Sequence, residues 1–443
     1  MPTRPHFILA LLARIVLLGL LPACAPDTSP PTHAPPHVAD SAGVRIVTYD
    51  HTPTTAAPFQ LAAEPRYRHG ADPGDYSFQE VSVGRLLPDG SAVVYDPWNV
   101  ELVAFSPDGT THSVLAGEGE GPGEVRYVNG IFVPGQDSVL IADPNLARVT
   151  LFVGGSVTRI AALPRSAGLD VEGIGSSGKL LLASSFGSFS DEEAWRPGHM
   201  ARFDMATGVV DTVASYDFMP RIPPGLEREP IPAYGEVTVA TGHFVQTRSD
   251  RAQVIWRLPD GTTTQIARWQ AAPALLTEEW MQPIEAEYRM YVRKHSPSVP
   301  EAGITESTRR VMGIYRASIG RPMPLFAEPF ADSEGRIWLP SYKPSGERHS
   351  VPPYTVIAPD GTWLGTVNVP PGFRILDVAG GLVLGMELDE MDVESVVVYE
   401  LAGGWGPLER RFNQSECAKG PLAVGPRPVV QVTSKPHNLE RHY

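Results

Sequence analysis

The run Ala92-Val93-Val94-Tyr95-Asp96-Pro97 returns 47 residues later as Val139-Leu140-Ile141-Ala142-Asp143-Pro144. Leu102 and Phe105 after the first copy are matched by Val149 and Phe152 after the second, and Gly70 falls on Gly117 at the same offset. Self-similarity at a fixed period of this length marks a repeat architecture. Around the first copy, residues 81–87 precede a Pro88-Asp89-Gly90 turn and 92–95 follow it; 101–105 come next, and Pro107-Asp108-Gly109 leads into 112–116. Proline presets the first corner of such a turn and glycine accepts the positive φ at its end, so Pro-Asp-Gly between apolar runs reads as a hairpin. The same device stands at Pro259-Asp260-Gly261 and Pro359-Asp360-Gly361. One repeat therefore holds four short antiparallel strands, the content of one propeller blade.

Extended along the chain, the pattern gives six blades, at 77–116, 127–163, 169–216, 231–269, 324–367 and 373–408. The expected fold class is all-β, a six-bladed β-propeller. Residues 61–70 hold before blade 1 the place that 114–117 hold before blade 2, so they are expected to form the outermost strand of the last blade and seal the ring. Sealing removes an open sheet edge. Residues 44–49 are expected to pair nearby. Composition agrees: 42 glycines and 45 prolines in 443 residues are more helix breakers than a bundle tolerates, while 42% hydrophobic residues suffice for a core.

Arg4 and Arg14 precede residues 15–21, an apolar run of export-signal length that is too short to span a bilayer. It ends in Leu21-Pro22-Ala23-Cys24, which resembles the lipobox of bacterial lipoproteins, with Pro22 a departure from the usual small residue. Cys24 is the expected lipid-attachment site; an ordinary cleaved secretory signal is the alternative. The only other cysteine is Cys417, so no disulfide framework is implied, and a Cys24–Cys417 bridge would forfeit the anchor. The expected organisation is a signal peptide with lipobox at 1–24, a flexible tether at 25–42, the propeller at 43–411 and a mobile tail at 412–443. The expected location is the bacterial cell envelope, membrane-anchored, either periplasmic or surface-exposed.

Gly117-Glu118-Gly119-Glu120-Gly121-Pro122-Gly123-Glu124, then Ile141-Ala142-Asp143-Pro144-Asn145 and Arg148-Val149-Thr150-Leu151-Phe152, resemble an NHL repeat. Together with the opening Asp40-Ser41-Ala42-Gly43-Val44, the chain from about 44 to 408 is similar to the exported six-bladed propellers of bacteria related to NHL and TolB-like proteins. The match is strong in two blades and degenerate in the other four, so it carries fold and family but transfers no catalytic residue. Asp143 and Arg148 are expected to tie neighbouring turns and strands together.

Residues 272–321, between blades four and five, break the pattern. Thr277 before Glu278 and Glu279 reads as a helix start, and Trp280, Ile284, Tyr288 and Tyr291 recur at helical spacing to about Lys294. A second helix is expected from Thr305 to Ser318, ended by Gly320 and Pro322. This helical hairpin either packs its aromatic stripe on the propeller rim or covers one end of the central channel. Trp280, Tyr288, Tyr291 and Tyr315 form the candidate binding surface, because long embellishments of rigid scaffolds are where binding tends to sit.

Catalytic signatures are sparse. Gly173-Ile174-Gly175-Ser176-Ser177-Gly178 matches a dinucleotide fingerprint in letters, but a strand follows it where that motif needs a helix, so it reads as a hairpin turn. No zincin helix, nucleophile elbow or Walker lysine motif occurs. The acids Glu387, Asp389, Glu390, Asp392 and Glu394 lack the glycine and spacing of a calcium loop and read as a solvated hairpin tip. Glu118, Glu120 and Glu124 are a weaker metal candidate. His33 and His37 lie among prolines that forbid a helical metal pair, and His199, His243 and His349 would need to converge on the axis to bind zinc. No cofactor is expected, with calcium or zinc the open alternatives. A net charge of −14 and only five lysines disfavour nucleic acid as a partner.

These readings lead to a lipid-anchored, non-catalytic binding scaffold for a protein, peptide or carbohydrate. The alternative is a metal-dependent lyase or lactone hydrolase with its site at the central channel. A purely structural assembly subunit is the third.

Overall fold

The structure is a computed structural model, and the residues it describes are 35–53, 57, 59–70, 74–164, 169–184, 194–221, 231, 233–344 and 350–403. The signal segment with Cys24 and His33, the tail with Cys417, and His349 lie outside the described residues.

The Pro-Asp-Gly corners close as read. The Gly90 amide donates to the Leu87 carbonyl at 2.9 Å and Gly90 takes φ +89°. Asp89 Oδ1 accepts the Ser91 amide at 2.9 Å, fixing the corner from within. Such hairpins build six antiparallel sheets. Blade 1 consists of Val83–Leu86, Ala92–Asp96, Glu101–Phe105 and His112–Ala116; blade 2 of Gly130–Gly135, Ser138–Asp143, Arg148–Val153 and Ser156–Ala162. Blade 3 holds Leu169–Ile174, Leu180–Ser184, Trp195–Asp204 and Val209–Pro220, and blade 4 holds Gly235–Ala240, His243–Arg248, Gln253–Arg257 and Thr263–Trp269. Phe330–Ala331, Ile337–Pro340, Tyr354–Ile357 and Trp363–Val367 form blade 5; Phe373–Ala379, Leu382–Leu388 and Glu394–Gly403 begin blade 6. First strands of successive blades touch around the axis, so the molecule is the expected six-bladed β-propeller.

Cores lie between neighbouring blades. Val93 and Tyr95 of blade 1 pack with Ile131, Val139 and Ile141 of blade 2, and Leu180 and Leu182 of blade 3 pack with Leu140 and Val149 of blade 2. Each such side chain contributes about 1.5–3 kcal/mol by leaving water. Second strands are covered on both faces: Ala92–Asp96 and Leu180–Ser184 are buried at every position. That is why they read as continuous apolar runs, not alternating ones.

The repeated aspartates explain the 47-residue echo. Asp143, 2% exposed, accepts backbone N–H groups from Arg126 (2.7 Å), Tyr127 (3.2 Å) and Leu146 (2.9 Å). Asp96 does the same for Gln79, Trp98 and Asn99. Arg148 donates to the carbonyls of Glu120, Gly121 and Glu124, holding the Gly-rich segment against blade 2. Asp143 and Arg148 thus act as the structural ties expected from the sequence.

The ring closes at blade 6, where Tyr67–His69 pairs with Glu394–Gly403 in the register Tyr67↔Val398, and Phe59–Leu61 extends the same edge. The expectation for 44–49 needs correction. Val44–Tyr49 does not lie near blade 6; it pairs in parallel with Thr263–Trp269 of blade 4. Its reason is apolar: Val47 and Tyr49 are buried at that outer edge, and Tyr49 Oη accepts the Trp363 amide of blade 5 at 2.7 Å. The Ala57 amide then bonds the Thr366 carbonyl on the way to blade 6. One amino-terminal strap therefore stitches the rims of three consecutive blades. The tether boundary shifts with it, because His37–Ser41, expected to be flexible, forms a further strand against Val44–Tyr49.

The insertion is helical. A short 3-10 turn, Glu278–Trp280, leads into α1 (Met281–His295), and α2 spans Glu301–Arg316. Thr277 makes no side-chain cap. α2 starts four residues earlier than expected because the extended Pro300 offers its carbonyl to Gly303 and Ile304 and opens the helix there. Among the described residues no helix is long and apolar enough to cross a membrane.

Candidate functional site

Antiparallel connectivity sorts the loops. Links from second to third strands, and links between blades, lie on one face of the disc, here the upper face; the remaining turns lie on the lower face. The insertion is a link between blades and so belongs to the upper face. There the channel mouth widens into a cavity of about 990 Å³, lined by the first strands and overhung by α1 through Glu287, Met290, Tyr291, Lys294 and His295. The hairpin does part of both: the carboxyl-terminal half of α1 overhangs the channel, while Trp280 and Tyr315 pack in a local core.

One wall is acidic. Glu172 of blade 3, Glu236 of blade 4 and Glu328 just before blade 5 line the cavity, and Asp170 lies beside them on the Glu172 strand. Among the described residues no cation is paired with these three glutamates. Burial pushes the Glu172 carboxyl well above its usual range, and the charges of Asp170, Glu236 and Glu328 push it further. Glu172 keeps partial exposure, which it owes to the cavity into which its strand faces. Burial, then Glu328, raises Glu236 to about 7. Asp170 is raised by burial, and its Oδ1 accepts the Asn129 Nδ2 donor at 2.7 Å, leaving the buried Asn129 Oδ1 without a partner.

Backbone packing places this wall. An ideal Cβ on Gly235 would lie 1.6 Å from the Asp217 carbonyl oxygen, so only glycine lets the blade 4 strand approach blade 3 closely at the residue before Glu236. Across the cavity, Arg85 and Arg374 stand beside Glu80 and Glu394, and both arginines are already engaged. Arg85 Nη1 donates to the Gly84 and Leu376 carbonyls, Arg374 Nη2 donates to the Val81 carbonyl at 2.6 Å, and Glu394 Oε2 accepts the Val81 amide at 2.6 Å. Among the described residues the glutamates of blades 3 to 5 have no ion-pair partner, whereas the guanidinium groups opposite serve as struts between strands.

The four aromatic candidates divide. Tyr291, 57% exposed, overhangs the cavity and stacks on His295 at 4.2 Å between centroids. Trp280 and Tyr315 instead pack on Met281, Ile284 and Met312 in a small core under the hairpin, and Tyr288 is half-buried without reaching the cavity. They do not form one surface. His199 sits on the third strand of blade 3 with Ser215, whereas His243 sits at a lower-face turn bonded to the Thr241 carbonyl, so the two do not converge on the axis. The acids of the blade 6 tip serve locally: Glu387 pairs with Arg68, and Asp389 accepts the Met391 and Val393 amides. In the Gly-rich segment Glu124 accepts the Gly121 amide and Glu120 pairs with Arg126. The Gly175 to Gly178 segment is a hairpin turn closed by a 2.8 Å bond between them. Among the described residues no group of three or more His, Cys, Asp or Glu side chains is arranged to share a metal ion.

No family model and no curated protein matches the sequence. Solved structures do align with it. A candidate exported protein of Bacteroides fragilis is 12% identical with a TM-score of 0.47, covering 81% of this chain and 99% of its own. A member of the DUF4221 family from Bacteroides vulgatus is 12% identical with a TM-score of 0.44 over 79% of this chain and all of its own (100%). The calcium-binding protein regucalcin from Agrobacterium tumefaciens is 13% identical with a TM-score of 0.38, over 82% and 99%. The class that the fold and cavity define is a six-bladed propeller with a helix-covered, acidic channel mouth.

Proposed function

We propose that this protein is a lipid-anchored scaffold of the bacterial envelope that binds, without turning over, a peptide or polypeptide segment carrying a basic group in the cavity under α1. The observation that carries this reading is the wall formed by Glu172, Glu236 and Glu328, three carboxyl groups facing one cavity with which no cation is paired among the described residues. The charges of Glu236 and Glu328 raise the proton affinity of Glu172, Glu328 raises that of Glu236, and a bound ammonium or guanidinium would supply a counter-charge. The exported, lipidated state is read from the Leu21-Pro22-Ala23-Cys24 sequence.

Calorimetric titration with short lysine-containing peptides and their glutamate counterparts tests it. Basic peptides are expected to bind, more tightly as pH rises through about 7, where Glu236 ionises, and Glu236→Gln is expected to weaken binding. Equal affinity for the acidic peptides refutes it.

A second reading draws on one observation, that a cavity carboxyl raised to about 7 suits proton transfer at neutral pH. It is a propeller lyase or lactone hydrolase. The described residues do not assemble a metal-ligand set, so no metal-assisted step is derived. Turnover of a substrate, abolished by Glu236→Gln with the fold intact, would favour it over the scaffold.

A further inference from the structure

The upper face differs from the lower in its exposed apolar side chains. Among the described residues, eight of the twelve exposed large apolar side chains lie on upper-face links or on the helical insertion. Trp98 (57% exposed) and Tyr127 come from blades 1 and 2, and Met391 (83% exposed) and Val393 from blade 6. Leu275, Met290, Tyr291 and Ile319 come from the insertion. Charge does not separate the faces: the insertion, residues 272–321, has seven Arg and Lys against six Glu, the other upper-face links expose Glu118, Glu120, Glu124, Asp389, Glu390 and Asp392, and the lower face exposes Asp89, Asp108, Asp260 and Asp360. Exposed aromatic and apolar residues on one face suit the interfacial region of a bilayer.

The chain leaves the disc on that same face. Val44–Tyr49 runs parallel to Thr263–Trp269, which ends at the insertion, and His37 pairs with Thr48 at this upper end. The thirteen residues from Cys24 to His37 reach at most about 45 Å when fully extended.

We propose that the upper face docks on the membrane surface, so that the helix-covered cavity opens toward the lipid and its ligand is taken up at the bilayer boundary. This rests on lipidation at Cys24, and the test separates the two. Full-length lipidated protein, in a Cys417→Ser background, receives a donor fluorophore at Ile319→Cys (upper face) or Ser177→Cys (lower face). It is reconstituted on phosphatidylglycerol-containing vesicles bearing an acceptor on the headgroup. Strands of about six residues separate the faces by about 20 Å, which energy transfer resolves. Flotation of the protein with the vesicles, lost in Cys24→Ala, reports the anchor. Transfer several-fold greater from position 319 than from 177 is the expected result. Reducing the apolar ring with Trp98→Glu and Met391→Glu, both exposed and so compatible with folding, is expected to lower transfer from 319 at least twofold while flotation persists. Flotation with equal transfer, or with transfer greater from 177, overturns the docking and leaves the anchor standing, in which case the apolar ring faces a protein. Failure to float overturns the anchor and the docking with it.

Discussion

Replacing Asp143 by alanine removes the acceptor for three backbone N–H groups, those of Arg126, Tyr127 and Leu146, at a site where the carboxylate is 2% exposed. A hydrogen bond to a charged group contributes about 1.5–3 kcal/mol, and a buried N–H left without a partner costs a similar amount. The Arg126 and Leu146 bonds, at 2.7 and 2.9 Å, should carry most of the loss, and the Tyr127 bond, at 3.2 Å beside an exposed ring, less. The expected destabilisation is about 3–5 kcal/mol. Asp143→Asn, which keeps one carbonyl acceptor, should lose about half of that. Because Tyr127 and Asn129 line the cavity just beyond these amides, basic-peptide affinity should fall as well. Urea unfolding followed by tryptophan fluorescence measures the first effect, with Asp96→Ala as an internal replicate because Asp96 makes the equivalent bonds. A loss below about 1 kcal/mol in both variants would mean that water replaces the carboxylate, and the repeat's aspartate would not be the tie described here.

Glu236 has a folded-state pKa raised to about 7 from 4.5, so the folded protein binds its proton more tightly than the unfolded chain and loses stability as pH rises between those values, by at most about 3 kcal/mol. Glu236→Gln should flatten that decline in urea midpoints measured across the same interval. Gly235→Ala would drive a methyl group into the Asp217 carbonyl; it should destabilise by about 3 kcal/mol or more, seen as a lower melting temperature together with loss of peptide binding. Tyr49→Phe leaves the Trp363 amide without its acceptor and should cost about 1–2 kcal/mol in urea unfolding, loosening the strap between blades 4 and 5.

The propeller was legible because its corners are local. Pro-Asp-Gly fixes a hairpin through four consecutive residues, and Asp96 and Asp143 repeat because each satisfies amides close to it in sequence. The position of Val44–Tyr49 was not legible. Its alternation announces a strand with one covered face, but the choice of blade 4 depends on a partner more than 200 residues away and on the Trp363 amide that Tyr49 meets there. The acidic wall escaped for a related reason. Glu172, Glu236 and Glu328 come from three separate blades, and no spacing rule links them; only ring geometry brings them together. A signal was present nonetheless: in Leu169–Ile174 and Gly235–Ala240 a glutamate interrupts the first strand of a blade, where side chains alternate toward the axis. The aromatic stripe of α1 misled because helical periodicity identifies a face but not the partner it meets, and Trp280 and Tyr291 end on opposite business, one in a small core and one over the cavity.

The strap has a consequence for biosynthesis. Its strands are made first, yet their partners follow long after, Thr263–Trp269 about 220 residues later for Val44–Tyr49 and Val398 about 330 residues after Tyr67. Pairings that distant form slowly, and exposed strands waiting for them are prone to aggregate. A nascent chain cut short before blade 6 would retain Phe59–Leu61 and Tyr67–His69 with nothing to pair against. Completion of the circle thus waits on synthesis through Glu394–Gly403, and a product cut short before it leaves open strand edges prone to aggregate.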